Sequence, residues 1–175
     1  VKLAVYVRKQ DPVYTVPEGV TAIYGETVGK AVIPESEGGM FIWENADESV
    51  GDVGTKKFLA TFVPSDEDVY ERAEHIEITV EVKPAEAKFT QAIDKLTAKE
   101  NDTLADIVLP EAENGIYTWY TDRTTKAEDG GTYKLCFKPI DITNYDWTAV
   151  AGWNRAYRGV VFQVKVEIQK EHVHE

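Results

Sequence analysis

The sequence predicts an all-β chain in which one sandwich module is written twice, and three observations carry that prediction. A stretch recurs at one offset: Val20-Thr21-Ala22 to Trp43 reads again, 76 residues later, as Leu96-Thr97-Ala98 to Trp119. Thr27/Thr103, Val28/Leu104, Val32/Val108, Pro34/Pro110, Gly39/Gly115 and Met40/Ile116 keep the same spacing, and a fixed internal period is the signature of a tandem array. Apolar residues alternate with polar ones in short runs, which is the period of a strand with one buried face. Glycine and proline turns cut these runs before a long amphipathic helix can develop. The best helical candidate, Lys88 to Lys95, is short and matches a segment that holds Pro17 in the first copy.

In chain order, Val1 to Val7 alternates and reads as a strand, stopped by Arg8 to Pro12. Because it resembles Ile76 to Val82, it is either the last strand of a preceding repeat or part of the first module. Pro17-Glu18-Gly19 introduces a short strand ending at Ile23, and Tyr24-Gly25 turns the chain. The next run, Thr27 to Ile33, reads as a strand broken by Pro34, which has no N–H to give a ladder. Gly38-Gly39 leads into Met40-Phe41-Ile42-Trp43, whose aromatic and β-branched content favours extended backbone. Glu44 to Thr55 is a loop with Gly51 and Gly54 at its corners. Lys56 to Val63 is the longest apolar strand, ended by Pro64 and the polar turn Ser65 to Asp68. In His75 to Val82, Ile76, Ile78, Val80 and Val82 alternate with Glu77, Thr79 and Glu81, as in a sheet with one wet side.

The second copy repeats this order with edits. Phe137-Lys138-Pro139 matches Phe62-Val63-Pro64, and Asp141 and Tyr145 match Asp66 and Tyr70 at an offset of 75. Matching Val80-Glu81-Val82 to Val164-Lys165-Val166 gives an offset of 84, so the second copy is nine residues longer, around Trp147 to Arg158. The modules are therefore placed at residues 1–85 and 86–175, joined by a short linker around Pro84.

A net charge of −12 and a sequence pI near 4.7 exclude nucleic acid as a natural partner, because no basic stripe is present to meet a phosphate backbone. Divided at Pro84, the first part carries 8 Lys/Arg against 16 Asp/Glu and the second 11 against 15, so both are acidic. No apolar run approaches the roughly 18 residues that direct membrane insertion needs. Cys136 is the one cysteine, set in the apolar-rich run Tyr133 to Phe137, and reads as a small buried hydrophobe.

Trp43 and Trp119 hold equivalent places and read as core residues, while Tyr70 and Tyr145 read as corner tyrosines. The insertion differs, because Trp147, Trp153, Arg155 and Tyr157 concentrate rings and hydrogen-bonding groups in one loop. Such residues suit a sugar, whose C–H face stacks on a ring, and they equally suit a protein interface. A third reading has the loop folding back over an open end of the second sandwich or packing at the junction between modules. Asp66-Glu67-Asp68, and Asp47-Glu48 with Asp52, lack the Asp-x-Asp-x-Asp-Gly spacing of a calcium loop. His75, His172 and His174 form no ligand set. Neither a phosphate loop, nor Gly-x-Ser-x-Gly, nor an oriented Cys/His pair is present, so no catalytic residue, metal or cofactor is assigned.

Taken together, Thr21 to Val28, Phe41-x-Trp43, Ser49 to Thr55, Ala60 to Asp66 and Tyr70 resemble the Ig-like repeat modules of large Gram-positive surface proteins. The resemblance covers most of residues 12–83 and is looser over 87–170, where the Tyr-Gly turn and the Val-Gly-Asp-Val-Gly loop are lost. It implies two tandem Ig-like β-sandwich modules in a secreted, wall-associated protein. The function it implies is that of a non-enzymatic spacer or adhesive segment, partnered by neighbouring repeats and by a glycan or cell-surface protein. The alternative is a carbohydrate-binding module acting through the insertion Trp147 to Arg158.

Overall fold

In Ile76 to Val82 every second side chain is aliphatic, so an extended backbone gathers those side chains on one face and turns the rest to water. The computed structural model describes residues 8–170; the strand read at Val1 to Val7, together with His172 and His174, lies outside the described residues. All regular structure in that range is strand, apart from two 3-10 turns. The chain divides into two compact units, Val1–Ala85 and Glu86–Glu175.

The first unit contains β1 (Val20–Ile23), β2 (Gly39–Trp43), β3 (Gly54–Pro64) and β4 (Ala73–Lys83). They form one sheet in the order β1-β4-β3-β2, with β1 parallel to β4 and the other pairs antiparallel. Its inner face carries Phe41, Phe58, Ala60, Phe62, Ile76, Ile78, Val80 and Val82, all buried. A Phe62-sized side chain removed from water contributes on the order of 1.5–3 kcal/mol.

A layer of turns and loops closes this face. Tyr14, from the leading segment, lies 5.2 Å from Phe62, and Val28, Ala31 and Val50 are buried beside it. The strand expected over Thr27 to Ile33 is corrected to a 3-10 turn at Val28–Lys30. Val28 and Ala31 are the two buried residues of that run, and their spacing of three suits a 3-10 turn rather than a pleat.

β5 (Ala85–Glu86) spans the boundary residues, and the second unit continues through β6 (Lys95–Lys99), β7 (Gly115–Trp119), β8 (Gly131–Pro139), β9 (Tyr145–Asp146), β10 (Trp153–Asn154) and β11 (Gly159–Gln169). Its main sheet repeats the first, with β6 parallel to β11, β8 antiparallel to β11, and β7 antiparallel to β8. The 3-10 turn also recurs, at Leu104–Asp106, and there Thr103 and Asp106 form a capping box. Phe89 takes the part of Tyr14, 5.2 Å from Phe137. The segment Lys88 to Asp94 that leads into β6 holds no helix. Glycine recurs at 39 and 115 because a Cβ there would stand 2.7 Å from the Phe62 ring and 2.6 Å from the Phe137 ring.

The ladders correct one alignment. Val20 pairs with Val80, whereas its counterpart Leu96 pairs with Val166; Lys56 also pairs with Val80, and Gly131 with Val166. Val80 therefore answers to Val166, 86 positions later rather than 84, and the insertion is eleven residues against the 75-residue offset of Phe62 and Phe137. A slip of two residues keeps every inward side chain inward, so alternation alone cannot distinguish the two registers.

Candidate functional site

The insertion between β8 and β11 is built from local carboxylate caps. Pro139 ends β8, and Asp141 then accepts the N–H groups of Thr143 at 3.1 Å and Asn144 at 2.8 Å, plus the Asn144 amide at 2.9 Å. The Asn144 N–H is the main reason the Asp141 carboxyl titrates below its ordinary value. Asp146 accepts the hydroxyl and the N–H of Thr148, and the hydroxyl bond leads in lowering its pKa. Two turns follow, from Val150 N–H to Trp147 O and from Trp153 N–H to Val150 O. Gly152, at φ 87°, lies where a Cβ would overlap the Val161 carbonyl oxygen.

A hairpin then pairs Trp153 with Val160 and Asn154 with Gly159. Its turn is fixed by Asn154, whose side-chain oxygen accepts the N–H groups of Ala156 and Tyr157 at 3.0 and 3.1 Å. Arg158 takes the left-handed conformation, φ 52°, that brings the chain into β11.

This geometry sends the four predicted residues in different directions. Trp147 and Trp153 stack on each other with ring centroids 5.9 Å apart and planes at 21°, and Trp147 lies 6.1 Å from Phe137. Both indoles are half-buried, and the Trp147 indole N–H is committed to the Asp141 carbonyl at 3.1 Å. The tryptophans thus extend the row of core rings toward the end of the sheet. Tyr157 is 49% exposed and meets Tyr120 at 4.9 Å, while Arg155 is exposed on the same turn.

Beside that tyrosine pair is a cleft of about 410 Å³, lined by Tyr120, Lys134, Gly152, Asn154, Val161, Phe162 and Gln163. Tyr120, Lys134 and Gln163 were not among the residues picked from the sequence. Tyr120 and Thr121 both donate their N–H groups to the Lys134 carbonyl, at 2.9 and 3.1 Å, which holds the tyrosine's backbone against β8. A signal existed: Lys134 and Gln163 are polar positions in strands that otherwise alternate toward the core, and β8 and β11 place them in register. Cys136 has the same strand parity as Lys134 yet is fully buried, with Gly159 so close that a Cβ would overlap its sulfur. Burial raises the pKa of its thiol.

Among the described residues the cleft lining holds no carboxylate, histidine or cysteine. No group of three or more His, Cys, Asp or Glu converges on a metal-sized site among the described residues. No helix among them is long and apolar enough to cross a membrane. Trp43 and Trp119 both pack against their cores, yet Trp43 donates its indole N–H to Ala31 O at 2.9 Å while the Trp119 indole N–H is buried without a partner among the described residues. Tyr70 bridges to Gln10, and Tyr145 begins β9. No protein-family model matches the chain, and no curated protein sequence matches it.

Proposed function

We propose that the chain is a pair of Ig-like modules that serves as a non-enzymatic spacer of a secreted, wall-associated bacterial protein. The observation that carries this reading is the construction of one sheet order and one loop lid twice, each around its own core. A spacer needs separate units that hold their shape and can be added in series. The acidic surface suits a segment that stays solvated beside its neighbours. Its natural partners under this reading are further copies of the repeat.

The test places one or two copies of the chain between a wall anchor and a reporter epitope on a Gram-positive surface. Antibody access to the epitope rises with copy number if the units act as spacers. Access that does not change with copy number, or a loss of function when an unrelated β-module of equal length replaces the chain, sinks the proposal. The adhesive role and the extracellular location belong to the same proposal and stand or fall with surface display.

A further inference from the structure

We infer that the cleft on the second unit is a binding subsite for a carboxylate-bearing saccharide, a role beyond that of a passive spacer. Tyr120, which lines the cleft, and Tyr157, whose ring meets Tyr120 at 59°, supply the stacking surface, and both are more than a third exposed. A tyrosine whose backbone is held offers its exposed ring surface to the C–H side of a sugar at little conformational cost. Both backbones are locked, Tyr157 by the Asn154 side chain and Tyr120 by the Lys134 carbonyl.

The hydrogen-bonding groups converge on the same space. Two N–H donors meet the Asn154 side-chain oxygen, so that atom is assigned by its partners, and the amide nitrogen is left as a donor at the cleft. Gln163 adds an exposed amide able to give and to accept. The volume of about 410 Å³ falls within the range of small-ligand sites.

Charge selects the class of sugar. The chain holds 31 acidic residues against 19 basic ones, yet among the described residues the lining contains no carboxylate and one cation, Lys134. Arg155 and Arg158 stand on the turn that carries Tyr157, and none of these three cations belongs to an ion pair among the described residues. An acidic sugar meets complementary charge here, on a molecule that elsewhere repels it.

The test titrates the whole chain with a short oligogalacturonide as the acidic probe and a cello-oligosaccharide as the neutral one, by calorimetry and by amide chemical shifts. The expected result is saturable binding of the oligogalacturonide, with shifts at Tyr120, Asn154 and Tyr157. Tyr157→Ala weakens it about tenfold, and Lys134→Gln removes the preference over the neutral probe, both with unchanged unfolding midpoints. No saturable shift with either probe overturns the inference, as does binding unaffected by both Tyr157→Ala and Gln163→Ala. Tighter binding of the neutral probe overturns the acidic class.

Discussion

At the end of β2 in the first unit, Glu44 accepts the Thr61 hydroxyl at 3.1 Å and the His75 N–H at 3.0 Å. His75 lies at φ 59° in a β-bulge, where the pairing of β3 with β4 shifts register between Ala60 and Phe62. The corresponding positions in the second unit hold Tyr120, Cys136 and Val161, and no shift interrupts the pairing of β8 with β11. One unit thus closes this corner with a carboxylate reaching a strained backbone position. The other closes it with apolar side chains and an eleven-residue excursion, and there the candidate site stands.

The sheet edges differ in the same way. On the side of β4 away from β3, a strand partner runs only along Val80–Lys83 among the described residues. β11 has partners on that side at both ends, β6 along Lys165–Gln169 and β10 at Gly159–Val160. A strand edge invites pairing with another chain, and covering strands, bulges and charges are the usual defences. β6 and β10 cover β11 in the second unit, and the bulge at His75 lies on β4 in the first. The comparison teaches that the insertion is first a structural element, and that its two tryptophans belong to that task.

The sharpest way to break this comparison is to remove the rings. Trp147→Ala or Trp153→Ala is expected to destabilise the second unit by about 2–3 kcal/mol, below the range for full burial because both indoles are half exposed. Urea unfolding followed by ring signals specific to each unit checks this, and an equal loss in the first unit refutes it. Next in size is the contrast between the matched tryptophans. Trp43→Phe should cost about 1 kcal/mol more than Trp119→Phe, since it alone gives up a hydrogen bond and the other substitution removes an orphaned N–H. Thermal unfolding of the two variants measures the difference, and equal costs would contradict the assignment.

The smallest effect is the acid response of the Glu44 clasp. The His75 N–H is the chief cause lowering the Glu44 pKa below its ordinary 4.5. A depressed carboxylate stabilises the fold fully above its unfolded pKa and loses that contribution as pH falls through the folded value. Glu44→Gln should therefore be less stable than the parent near neutral pH and converge with it in acid, while the second unit is unaffected. Parallel stability curves down to acid pH would remove Glu44 from the explanation.

Much of the fold was legible because it is written locally. Ile76, Ile78, Val80 and Val82 announce an inner face, Pro64 and Pro139 announce strand ends, and the 76-residue period announces a second copy. The site was legible only in part. Trp147, Trp153, Arg155 and Tyr157 stood out by composition, yet composition does not say which way a ring points, and here a turn near Val150 sends two of them inward. Tyr120 drew no attention because it stands alone after Trp119, and its meaning comes from Tyr157, which arrives from a different hairpin.

By itself the sequence determined that the chain is strand-built, that its unit is duplicated, and which side of each strand is apolar, because alternation acts over neighbouring residues. Only the tertiary structure decided that Val166 rather than Val164 faces Leu96, that Thr27 to Ile33 turns instead of pairing, and that Tyr120 meets Tyr157. Those outcomes depend on which distant segments close against one another, and a two-residue slip or a reversed ring leaves the local pattern unchanged.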